Sequence, residues 1–144
     1  MDGAGRSGHR GVPHTADLRI EAWAPDRERC VAEAVLGLVE SFADTTGVRP
    51  SRTASLDVPP GTDADLLVTV LDEVIYRLEV GGEIVLGAEI TEAPGGGLAS
   101  RLEVGDAAEA TAVGAVPKAV SLHALRFGVD PATGGWSCAV TIDV

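Results

Sequence analysis

With 22 acidic side chains against 11 Lys and Arg, a chain of 144 residues carries a formal net charge of −11. That field repels a phosphate backbone, so a broad nucleic-acid surface and tight direct RNA binding are excluded and a protein partner is favoured. The length and a hydrophobic share of 45% allow one domain with its own core, and an aromatic share of 3% makes that core aliphatic.

Taken from the start, residues 1–11, MDGAGRSGHRG, are rich in Gly and Arg and lack apolar periodicity. They are expected to form a disordered tail ahead of a domain over residues 12–144. From Asp17 to Trp23, Leu18, Ile20 and Ala22 alternate with polar or aromatic neighbours, the period of a strand with one face on a core. Arg19 reads as a surface charge on that strand. Asp26 can cap a helix carrying Val31, Ala34, Val35, Leu38 and Phe42, with Gly47 as its stop.

Residues 51–59 have a weak strand pattern. Thr62 with Asp65 then makes a near capping box for a second helix, whose Leu67, Val70, Leu71, Val74 and Leu78 form one apolar stripe. The period changes to two beyond Gly82, where Ile84–Ile90 and Leu98–Val104 flank APGGG as a hairpin. Residues 118–129, KAVSLHALRFGV, are apolar on both faces and are expected to be a central strand, followed by a turn and a last strand, WSCAVTIDV. This order implies an α+β fold: two helices packed on a mixed, mostly antiparallel sheet of about six strands.

No apolar run approaches the about 20 residues that span a bilayer, and the first residues hold no apolar leader, so a cytoplasmic protein without a membrane partner is expected. Cys30 and Cys138 are too few for a zinc knuckle and read as reduced thiols. Phosphate-binding loops, dinucleotide fingerprints, nucleophile elbows and HExxH motifs are all missing from the sequence. Ser121 and Cys138 lack an evident oriented base, and His123 reads as structural.

What remains is acidic. If the first and last strands pair, Asp17 and Asp143 meet, and an oxygen of Val144 lies beside them. Such a set suits Ca²⁺, Mg²⁺ or Mn²⁺ better than zinc, although two solvated strand ends would give the same spacing. His14 could orient a metal-bound water or simply close a strand-end hydrogen bond. Lys118 opens its strand where packing gives it no role, pointing to an acid or a partner beyond the chain.

Together, HTADLRIEAW, DADLLVTVLDEVIYRLE, PKAVSLHALRF and the closing WSCAVTIDV resemble the archease family, in order and spacing, over roughly residues 12–144. The resemblance implies a small α+β fold that binds a divalent cation. It also implies an accessory protein, not an enzyme, that activates a GTP-dependent RNA ligase joining 2′,3′-cyclic-phosphate or 3′-phosphate ends to 5′-hydroxyl ends in tRNA splicing or RNA repair.

Carried over by position, the metal ligands are Asp17, Asp143 and Val144, and Lys118, with His14, is the activation or partner contact. Ser121 and Leu122 stand where the family usually has a threonine and a tyrosine, and Pro117 precedes the lysine. The competing readings are a chaperone-like module with a structural metal and a metal-dependent phosphoester hydrolase. The oligomeric state is left open.

Overall fold

The computed structural model describes residues 5–13 and 17–144. Its strands are β1 (Gly8–Pro13), β2 (Asp17–Ala24), β3 (Ala43–Asp44), β4 (Pro50–Val58), β5 (Glu83–Glu92), β6 (Leu98–Asp106), β7 (Thr111–Ala112), β8 (Ala119–Val129) and β9 (Trp136–Asp143). The helices are α1 (Arg27–Glu40) and α2 (Asp63–Gly81). This is the α+β arrangement implied by the sequence, with two helices on antiparallel strands. The strands number nine among the described residues and divide into sheets ordered β1-β2-β9-β8, β4-β6-β5 and β3-β7, in place of one sheet of about six.

Both helices are set by local chemistry. Asp26 accepts from the Arg29 amide at 2.8 Å and starts α1, while Thr62 accepts from the Asp65 amide at 3.1 Å and starts α2. The first helix stops at Glu40, well before Gly47: the Ser41 hydroxyl turns back onto the Leu38 carbonyl at 2.6 Å, and the chain leaves to pair β3 with β7. Helix α1 buries Cys30, Val31, Ala34, Val35 and Leu38 against β2 and β5, and α2 lays Leu67, Val70 and Leu71 toward β5 and β8. One aliphatic core thus joins the two larger sheets.

The chain from Gly8 to Pro13 forms β1, an edge strand paired with β2, so the expected tail is corrected there: order reaches back at least to Gly8. Strand β8 is also corrected. It is the opposite edge of the sheet, with β9 as its inner neighbour. Its pairing with β9 breaks between Ser121 and Arg126, where Ala124 takes φ 55°, and residues 122–125 arch off the ladder. Only one side of its apolar set reaches the core, through Val120, Leu125 and Phe127; Leu122 is 72% exposed. The strand covered on both sides is β9, with Cys138, Val140 and Ile142 buried on one face and Ala139 and Thr141 on the other.

In the β5–β6 loop, Gly97 is required by close approach. A Cβ on Gly97 would stand 2.1 Å from the Val58 carbonyl oxygen, and that oxygen belongs to a paired strand that cannot retreat. Gly97→Ala is expected to cost about 1–3 kcal/mol of stability, as overpacking does, read as a lower urea midpoint at unchanged m-value.

Candidate metal and partner site

Strand register builds this site. In β2, Leu18, Ile20, Ala22 and Ala24 face the helices; in β9, Ile142, Val140 and Cys138 do the same, and the ladder matches Leu18 with Ile142, Ile20 with Val140 and Ala22 with Cys138. A slip of one residue would turn either apolar set out to water, so burial fixes the pairing. The same register puts Asp17 opposite Asp143 on the outer face. Directly opposed residues of antiparallel strands have Cβ atoms about 4.5–5.5 Å apart.

A third segment arrives from β8. Ala119 pairs with Asp143 from the other side, and the Lys118 amide donates to the Asp143 carbonyl at 2.8 Å. Pro117 before it is buried, while Lys118 and Asp143 are exposed and Asp17 is half-buried. Val144 follows Asp143, half-buried, and packs on the edge of the core. Asp17, Asp143, Val144 and the Lys118 backbone therefore share one end of one sheet. His14 lies outside the described residues.

Among the described residues, no three His, Cys, Asp or Glu side chains gather as a metal cluster. The donors available at this end are two carboxylates and an oxygen of Val144, all hard. They supply part of the six to eight oxygens that Ca²⁺ takes, with the remainder left to water or to another molecule. Two opposed carboxylates repel, and a divalent cation between them removes that cost, so the residues fit the group implied by the resemblance.

Arg19 proves to be more than a surface charge. Two residues after Asp17 and on the same face, it donates through Nη1 to Thr141 Oγ1 and through Nη2 to the Ala124 carbonyl, both at 2.9 Å. It braces the arch of residues 122–125 against β9. Alternation put Arg19 on the outer face, but a bond that reaches across β9 to the edge strand β8 depends on strand order and left no trace in the local pattern.

The other candidates do not join the site. His123 is exposed on the arch, where its amide donates to Ser121 Oγ at 3.2 Å. Cys30 and Cys138 are free and buried. The Cys30 thiol donates to the Ala22 carbonyl at 3.7 Å, and its pKa is pushed up by the side chain of Cys138 and by burial, which keeps it protonated and unreactive.

The model of the Archease protein family matches residues 9–144. A "Probable protein archease" of Mycobacterium tuberculosis is 50% identical over 138 residues, covering 96% of this chain and 75% of the relative. A "Protein archease" of Archaeoglobus fulgidus is 27% identical over 138 residues, 94% of this chain and 98% of the relative.

Among solved structures, Methanobacterium thermoautotrophicum protein 1598 superimposes with a TM-score of 0.72 at 22% identity, over 95% of this chain and 99% of that one. A Thermotoga maritima protein described as "an archease, possible chaperone" does so with a TM-score of 0.64 at 19% identity, over 92% and 94%. These two establish likeness of fold. The family match extends from β1 to the last residue and takes in both acids and the lysine, and on that evidence the chain belongs to the archease family.

Proposed function

We propose that this protein is a metal-binding accessory factor that activates a GTP-dependent RNA ligase, promoting its guanylylation and multiple turnover in tRNA splicing or RNA repair. The observation that carries the reading is the pairing of Asp17 with Asp143, with Lys118 hydrogen-bonded to the same aspartate. A cation held between the half-buried Asp17 and the exposed Asp143 at a sheet end is suited to contact with a second protein. The lysine beside it supplies a mobile positive charge for a phosphate or an acidic side chain. The chain's role is to present this edge and leave bond making to the ligase.

The test is ligation by the cognate ligase with and without this protein, under multiple turnover, with ligase guanylylation followed in parallel. Stimulation of both steps is expected; none in either refutes the reading. A chaperone-like role is the second reading, favoured by the exposed Val113, Val116, Leu122 and Val129. It predicts protection of aggregating clients unrelated to ligases, and a phosphoester hydrolase predicts turnover by the protein alone.

The charge balance adds an expectation. At −11 the protein alone should not shift an RNA duplex or hairpin in a gel at submicromolar concentration and moderate salt. A shift under those conditions would indicate direct RNA handling.

A further inference from the structure

Strand β1 is an edge of its sheet, and its inward side chain His9 meets α1. His9 Nδ1 lies 2.7 Å from Glu33 Oε1, and Nε2 lies 2.8 Å from Glu40 Oε1. Carboxylate oxygens only accept, so both ring nitrogens must donate, which requires the imidazolium. A neutral ring would turn one lone pair onto an anion.

The surroundings leave this clamp as the main polar tie between β1 and the helix. A Cβ on Gly37 would come within 3.2 Å of His9 Cβ and 2.9 Å of Ile20 Cγ2, so strand and helix are in close contact across a helix glycine. From α1, the charged groups facing the ring are Glu33 and Glu40. From β2, its register partner is Ala22, and the inward neighbours Leu18 and Ile20 are apolar. Arg10 and Glu21 pair with each other at 2.6 Å on the other face. There Arg10 also lies over Trp23, 5.3 Å from the ring centroid. Trp23 in turn lies on Gly8, where a Cβ would come within 2.5 Å of the indole.

We propose that the His9, Glu33 and Glu40 clamp is a pH-operated latch on β1: protonated, it fastens the edge strand to α1, and deprotonated, it frees the strand from its Gly8 end, uncovering Trp23 and the backbone edge of β2.

The direction in pH follows from the surroundings. Burial alone pulls the His9 pKa down, but the hydrogen bonds and charges of Glu40 and Glu33 outweigh it, and the net shift is upward from 6.5. A group whose pKa is raised by folding contributes stability that is complete below its unfolded value and is lost as pH rises through its folded value. The latch therefore holds in mildly acidic solution and opens as pH rises through the raised His9 pKa.

Amide hydrogen exchange of the full chain from pH 6 to 9, with rates normalised to intrinsic exchange, tests it. Protection of β1 peptides should fall with rising pH while that of β9 stays level. The loss is limited to tenfold for each pH unit by which the latched His9 pKa exceeds that of the freed strand. In His9→Gln, β1 protection should not depend on pH. Glu40 has a side chain 60% exposed, so Glu40→Gln should fold normally and move the loss to lower pH. Level β1 protection in the parent, the same pH dependence in His9→Gln, or an unchanged midpoint in Glu40→Gln would overturn the proposal.

Discussion

Asp17→Asn combined with Asp143→Asn is expected to abolish divalent-cation binding while leaving the fold in place. The amide keeps the shape of each side chain and removes its charge, so the β2–β9 ladder has no reason to shift, but the electrostatic attraction for a cation is gone. Calorimetric titration with Ca²⁺ or Mn²⁺ should show binding to the parent and none to the double variant. Thermal unfolding gives an independent reading. A cation at 100 times its Kd stabilises the folded form by about 2.7 kcal/mol, so the parent's Tm should climb with added Ca²⁺ and the variant's should not. Equal binding by both proteins would refute the assignment of Asp17 and Asp143. Loss of ligase stimulation in the double variant should accompany loss of the cation.

Lys118→Ala is expected to leave stability within about ±0.5 kcal/mol, as an exposed substitution usually does, and to reduce ligase activation sharply. The bond from residue 118 to Asp143 is made by its backbone amide, which alanine keeps. What is removed is the ammonium alone. Multiple-turnover ligation and ligase guanylylation should be compared at matched Tm. Arg19 is unsuitable as a control because its loss would release both Thr141 and the arch at Ala124. Arg101, on the other large sheet with a side chain 68% exposed, is a better one, and Arg101→Ala should activate like the parent. Full stimulation by Lys118→Ala would make Lys118 an ordinary surface lysine.

What could be seen in the sequence was whatever local periodicity encodes. The stripe from Leu67 to Leu78 with its Thr62 cap gave α2, and the alternation around Ile20 and Val140 gave β2 and β9 with their faces. Because those faces fix the register, the meeting of Asp17 and Asp143 was legible once the two strands were assumed to pair.

Strand order was not legible. A segment apolar on both sides looks like a central strand, and nothing within residues 118–129 announces that one side faces water at a sheet edge. Strand β1 was hidden for a different reason: His9, Arg10 and Gly11 have no apolar alternation, and the strand exists because β2 and α1 supply its partners. The early end of α1 depended on a serine hydroxyl and on two-residue strands, β3 and β7, too short for any period to register.

The order of strands in the four-stranded sheet has a consequence for how the protein is made. Strand β9 lies between β2, near the start of the chain, and β8, its sequence neighbour. As the chain leaves the ribosome, β1, β2 and α1 appear early and the β5–β6 hairpin can close on its own, but β2 has one side open until the final strand is complete. Pairing across so long a loop comes late, since its closure entropy is met before its contacts form. Both halves of the proposed cation site, Asp17 and Asp143, therefore come together in a late step of folding. A nascent chain stalled before Asp143 would carry Asp17 without its β9 counterpart, and an accessory factor assembled in this order acquires its proposed working edge only once β9 has emerged.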